Sequence, residues 1–159
     1  MYSEPMSTKR PAILVIAILA LIAAPAQAKS RTITMTTLAG YASQIAGSPT
    51  TIACDSATSE GGHVQFDGVI HLDPWICKAL ANPLDRSQNV AYAMLALQHE
   101  ATHVALNSGD EGAVECSAIL NRYQLVRLFK LPAKVAGQIM NDEVTIHQTI
   151  MPPAYRTHC

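Results

Sequence analysis

The stretch "QHEATHVALNSGDEGAVEC", residues 98–116, sets His99 and His103 four apart, with Glu100 directly after the first of them. On an α-helix, positions i and i+4 lie about 6 Å apart along the axis and nearly on one face. Both rings can therefore turn a nitrogen toward one ion at the ~2.0–2.1 Å that zinc requires. Glu100 is rotated by about 100° from His99, so it reaches the flank of such an ion rather than the ion itself. A general base belongs there, beside the water whose proton it accepts. The surrounding pattern supports the helix: Val90, Met94, Leu97, Ala101 and Val104 recur at spacings of four and three within Ser87–Asn107.

Working outward, Gly109 is a natural left-handed stop and Asp110 a natural cap for a second helix over 111–130. A third helix starts at Pro132 and runs toward Met151, where Pro152-Pro153 ends it. Upstream, "DPWICKALAN" (73–82) is predicted as a short helix opened by Asp and Pro. Before Asp73 the texture changes to short strands: "RTITMTTL", "TTIAC" and "HVQFDGVIHL", separated by the turn-rich "AGSP" and "SEGGH". "LAGYASQIAG" fits a short helix equally well. Strands first and helices after imply an α+β fold.

The N-terminus has the layout of a secretory leader. Lys9 and Arg10 precede 13 uncharged residues, Ala12 to Ala24, and Ala26-Gln27-Ala28 is a small-x-small cleavage site. The apolar run is shorter than the roughly 20 residues a spanning helix needs. Residues 1–28 are therefore expected to be cleaved, leaving a 131-residue secreted or periplasmic chain, 29–159, with room for one domain. The leader's Lys9, Arg10 and Glu4 sum to +1, so the formal charge of −1 becomes about −2. No basic cluster suggests nucleic acid, and no further segment suggests a membrane. A monomer is expected. All four cysteines lie in the exported part, and an even count in a small exported domain implies disulfides. Of three possible pairings, Cys54 with Cys77 and Cys116 with Cys159 is favoured, because the first brackets the strand region and the second ties down the tail. Zinc ligation by cysteine would want a CxxC spacing, which is missing.

A catalytic zinc needs a third protein ligand and an open fourth position. A metzincin would place Gly and His three and six residues after His103, where Leu106 and Gly109 stand, so a carboxylate from the next helix is left. The motif resembles the gluzincins among the zincin metallopeptidases, whose HExxH is followed on the next helix by a zinc-binding Glu in an ExxA context, here Glu115-Cys116-Ser117-Ala118. It is also similar to short secreted bacterial proteins with HExxH, a "DE" turn, an "EC" pair and a C-terminal Pro-x-Tyr-Arg…Cys. The likeness is loose over 65–159 and good over 95–120. Two departures stand out: the gap from His103 to Glu115 is short for a gluzincin, and Ile119 follows Ala118 where many gluzincins carry Asp.

Counting helical rise gives the same ligand. Six residues up from His103 to Gly109 and five down from Asp110 to Glu115 nearly cancel at ~1.5 Å each, so Glu115 is expected level with His103. Asp110 and Glu111 would stay near the hairpin tip, Glu111 serving the helix N-terminus. His63, His71, His147 and His158 are expected at the surface or in packing, and Tyr155 and His158 are weak candidates for stabilising an oxyanion. The resulting expectation is a zinc hydrolase acting on peptides or proteins, with zinc on His99, His103 and Glu115, Glu100 as base, and substrate along an edge strand at "GVIHL", 68–72. The alternative is a disulfide-stapled binding or structural module, with or without zinc, that turns nothing over.

Overall fold

The computed structural model describes residues 32–57, 61–65, 67–156 and 159. The leader, its cleavage site and His158 lie outside them. Among the described residues the fold is α+β: α1 (Met35–Ala46), β1 (Thr51–Ala53), β2 (Gly62–Val64), β3 (Val69–Leu72), α2 (Pro74–Ala81), α3 (Gln88–Leu106), α4 (Glu111–Leu120), α5 (Tyr123–Leu128), α6 (Ala133–Thr149) and a 3-10 turn, Pro153–Arg156.

The HExxH helix, α3, is the axis of the molecule. Every residue from Ala93 to Thr102 is buried, because α1, α2, α4, α6 and β2 all pack around it. A helix covered on all sides has no polar face to spare, so the polar residues it does carry, Gln98, His99, Glu100 and Thr102, stand out. The apolar residues of α1, α2, α3 and α6 form one cluster with Ile70 and Leu72 of β3.

Four expectations are corrected. "RTITMTTL" was expected as a strand, but its second half begins α1. Thr34 caps this helix, its Oγ1 accepting from the Thr37 amide at 3.2 Å. Leu38, Ala42 and Ala46 are buried at spacings of four, a helical period that the run of threonines masks. The expected 111–130 helix is instead α4 and α5. Asn121 Nδ2 donates to the Ser117 carbonyl (2.9 Å) and Arg122 Nη1 to that of Ile119 (2.6 Å), and side chains that occupy the last carbonyls end a helix there. The stop of α3 is not Gly109 but Asn107, at φ 47°, Asn being the next best residue in that conformation.

The fourth correction concerns the edge strand. Strand order is β1-β3-β2, with β3 parallel to β1 and antiparallel to β2, so "GVIHL" supplies the central strand. β2 is the edge that lies against α3.

Two disulfides join Cys54 to Cys77 and Cys116 to Cys159, the favoured pairing. The second fastens the end of the chain to α4, beside Glu115. Disulfides of this kind persist in oxidising compartments. No helix of the described residues is long and apolar enough to cross a membrane.

Candidate metal centre

His99 and His103 sit one turn apart on α3, as their spacing predicts. Their Nε2 atoms are 3.0 Å apart, and both face one oxygen of Glu111, whose Oε2 lies 3.0 Å from His99 and 3.2 Å from His103. His99 is buried and the other two are partly buried, and among the described residues these three form the one cluster able to hold a metal ion. The separations can be tested against such an ion. Four ligands at ~2.0–2.2 Å in a tetrahedron stand about 3.3 Å from one another, so an ion fits between these atoms with small adjustment.

The expected third ligand, Glu115, is elsewhere. It is fully buried, and its two oxygens accept from His99 Nδ1 at 2.8 Å and from His147 Nδ1 at 3.0 Å. Glu111 and Glu115 are i and i+4 on α4, so both carboxylates face α3. They grip the two nitrogens of one imidazole: Glu111 on the metal-facing side, Glu115 behind it. The helical count failed at the hairpin. α3 ends at Leu106, the left-handed Asn107 turns the chain at once, and residues 107–110 return beside His103 instead of climbing. Glu111, the first helical residue of α4, therefore lands on the histidines. Asp110 caps that helix as expected, accepting from the Ala113 amide at 3.0 Å.

The same early turn orients His103. Its Nδ1 donates to the Ser108 carbonyl at 2.7 Å, as His99 Nδ1 does to Glu115. With both Nδ1 atoms turned to acceptors, it is the two Nε2 atoms that face the ion position, and outer partners of this type set tautomer and basicity. Glu100 is buried and lines the same cleft but is outside the ligand cluster. It lies against the edge strand: a Cβ on Gly62 would approach Glu100 Cγ to 3.2 Å.

The cleft has a volume of about 680 Å³. It is lined by β2, by α3 with the 107–109 turn and Glu111, and by Ile150–Pro152 with Tyr155. The Tyr155 ring stacks on His99 with centroids 5.3 Å apart. His63 and His71 stack on each other across β2 and β3, and His71 pairs with Asp55 at 2.6 Å. Neither belongs to the metal cluster.

His147 was expected at the surface or in simple packing, and its link to Glu115 was missed. A signal existed, since Val135, Ile139, Glu143, Ile146 and His147 form the buried stripe of α6, and a polar side chain on such a stripe needs a partner. Burial pushes the Glu143 carboxyl well above the usual range, against the pull of Arg122.

Burial alone would lower the His99 pKa. The hydrogen bonds to Glu111 and Glu115, with the charges of Glu100 and Glu115, outweigh it and raise the value from 6.5 to about 9. The hydrogen bond from His99 in turn holds the Glu111 carboxyl below its ordinary value. Without an ion, then, this anionic pocket keeps a proton on His99 at neutral pH. That proton stabilises the metal-free fold fully below about pH 6.5, and its contribution is lost as pH rises through about 9. A metal must displace it, so binding should release close to one proton from His99 at pH 7. Apparent affinity should rise by up to tenfold per pH unit from this group and level off near pH 9. Calorimetry of zinc binding in buffers of different ionisation enthalpy reads the proton count directly.

No protein-family model, curated protein or solved structure matches this chain.

Proposed function

We propose that the protein is a secreted zinc metallopeptidase. The observation that carries this reading is the convergence of His99 Nε2, His103 Nε2 and Glu111 Oε2 within 3.0–3.2 Å of one another, in a cleft that Glu100 also lines. Two histidines and a glutamate are a donor set of catalytic zinc sites, which leave a fourth position open. The disulfides and the leader-like N-terminus support export.

His99, His103 and Glu111 would hold the zinc, which when bound supplies Lewis-acid polarisation of a carbonyl and a more acidic water. Glu100 accepts the proton of the attacking water and delivers it to the leaving amine. Glu115, steadied by His147, fixes the His99 ring, and the Ser108 carbonyl fixes that of His103.

β2 positions the substrate. Gly61 and Gln65 bond to β3 and to the residue after it, through Asp73 N to Gly61 O and Gln65 N to Val69 O, and His63 is in register with His71 between them. In an antiparallel pair alternate residues turn their backbone groups the other way, so Gly62 and Val64 present theirs to the free edge. No described strand pairs with that edge. An extended peptide can add there as a further strand, its carbonyl carried past Glu100.

Gly62 is the tight point. A Cβ would come within 2.9 Å of Leu72 Cδ2, 3.0 Å of the His71 carbonyl oxygen and 3.2 Å of Glu100 Cγ. Gly62→Ala should therefore displace β2 and Glu100 together, reducing kcat/KM by at least tenfold while zinc affinity changes little, at a stability cost of about 1–3 kcal/mol. Parallel zinc titration and peptide kinetics separate the two effects.

The function is tested by incubating the zinc-loaded protein with a mixed library of extended peptides. Internal cleavage that a chelator stops and added zinc restores is expected. A protein that holds one zinc and cleaves no peptide would instead be a zinc-bearing binding module.

A further inference from the structure

We infer that the cleft selects an apolar side chain beside the scissile bond and that Ile150 is the residue that reads it; this rests on the peptidase reading above. Ile150 follows α6, with its amide bonded to the Ile146 carbonyl at 2.8 Å. The next amide, of the buried Met151, bonds to the same carbonyl at 3.1 Å. The backbone at this point is thus held, yet Ile150 is 58% exposed. Exposed apolar residues are common on any protein. Leu120 and Tyr123 are exposed too, but they lie away from the cleft, whereas Ile150 lines it together with His99 and Glu100.

Tyr92, Ala96 and Val104 of α3 line the cleft as well, and so do Met151 and Pro152 beside Ile150. The polar part of the lining outside the metal site is His63, Gln65, Asn107 and Ser108. Apart from Glu100 and Glu111, no Asp, Glu, Lys or Arg lines the cleft among the described residues. Those two carboxylates belong to the metal site itself, so the rest of the lining offers no Asp, Glu, Lys or Arg to a substrate side chain. A charged side chain entering it would lose water and meet no Asp, Glu, Lys or Arg of opposite sign outside the metal site. An apolar one docked against Ile150 would cover surface that water now touches.

Hydroxamates, which chelate an open zinc site, report this without turnover. The probes are acetohydroxamate and the hydroxamates of N-acetyl-leucine, N-acetyl-aspartate and N-acetyl-lysine, titrated into the zinc-loaded full chain. The leucine probe should bind about ten- to a hundredfold more tightly than acetohydroxamate, the range given by burying one such side chain. The aspartate and lysine probes should gain nothing over acetohydroxamate. In Ile150→Asp, a substitution at an exposed position, the ratio of leucine probe to acetohydroxamate should fall toward one. The inference is overturned by equal affinities across the wild-type series, by preference for a charged probe, or by an Ile150→Asp protein that keeps the wild-type ratio. Failure of acetohydroxamate to bind a chain that has taken up one zinc is a different outcome: it removes the open-site reading, and the selectivity with it.

Discussion

Replacing Glu111 with alanine should leave a folded protein that no longer retains zinc, whereas Glu115→Gln should still retain it, more weakly. Glu111 supplies one of the three converging ligand atoms, and its side chain is partly exposed, so its removal disturbs the ligand set more than the core. Two histidines on one helix turn would remain, and the loss should run well past the roughly 10- to 100-fold that an outer-shell partner is worth. Glu115 is such a partner. It touches the nitrogen of His99 that faces away from the ligand cluster, and glutamine preserves its volume and one acceptor. Its replacement should weaken zinc by about 10- to 100-fold and also lower stability, because two buried imidazoles lose a charged acceptor. Zinc competition with a chromophoric chelator ranks the variants. The reverse order would mean that α4 presents Glu115, not Glu111, to the ion.

Glu100→Gln should bind zinc as the wild type does and lose nearly all activity. Glu100 is adjacent to His99 in sequence yet outside the ligand cluster, since the helix turns it toward β2 and the cleft. Glutamine matches its shape against Gly62 but cannot take a proton. General-base help is worth about 10²- to 10⁴-fold, so kcat should fall by that amount with KM little changed. Full activity in a zinc-replete Glu100→Gln protein would remove Glu100 from the chemistry.

The parts of this site that were legible in the sequence are those that local periodicity controls. His99, Glu100 and His103 occupy one helix, whose regular rise fixes their relation before any tertiary contact forms. The choice between Glu111 and Glu115 depended instead on three residues, Asn107, Ser108 and Gly109. Gly109 is the more obvious left-handed stop, but Asn107 takes that conformation, and a shift of two residues moves the following helix by about half a turn. The α1 error has a similar origin. Threonines at 34, 36 and 37 read as strand, yet Thr34 acts through its side-chain cap and the buried Leu38, Ala42 and Ala46 decide the period. His147 illustrates a different limit, because nothing local ties a histidine 32 residues beyond Glu115 to it; only the packing of α6 against α3 and α4 does so. The edge strand was misassigned because chain order does not reveal sheet order: β3 lies between strands that both precede it.

Anomalous diffraction at the zinc edge from crystals of the zinc-loaded protein tests the central claim most directly. One peak is expected, about 2.0–2.2 Å from His99 Nε2, His103 Nε2 and Glu111 Oε2, with Glu115 still bonded to His99 Nδ1. A peak coordinated by Glu115, or none between the two histidines at saturating zinc, would contradict it.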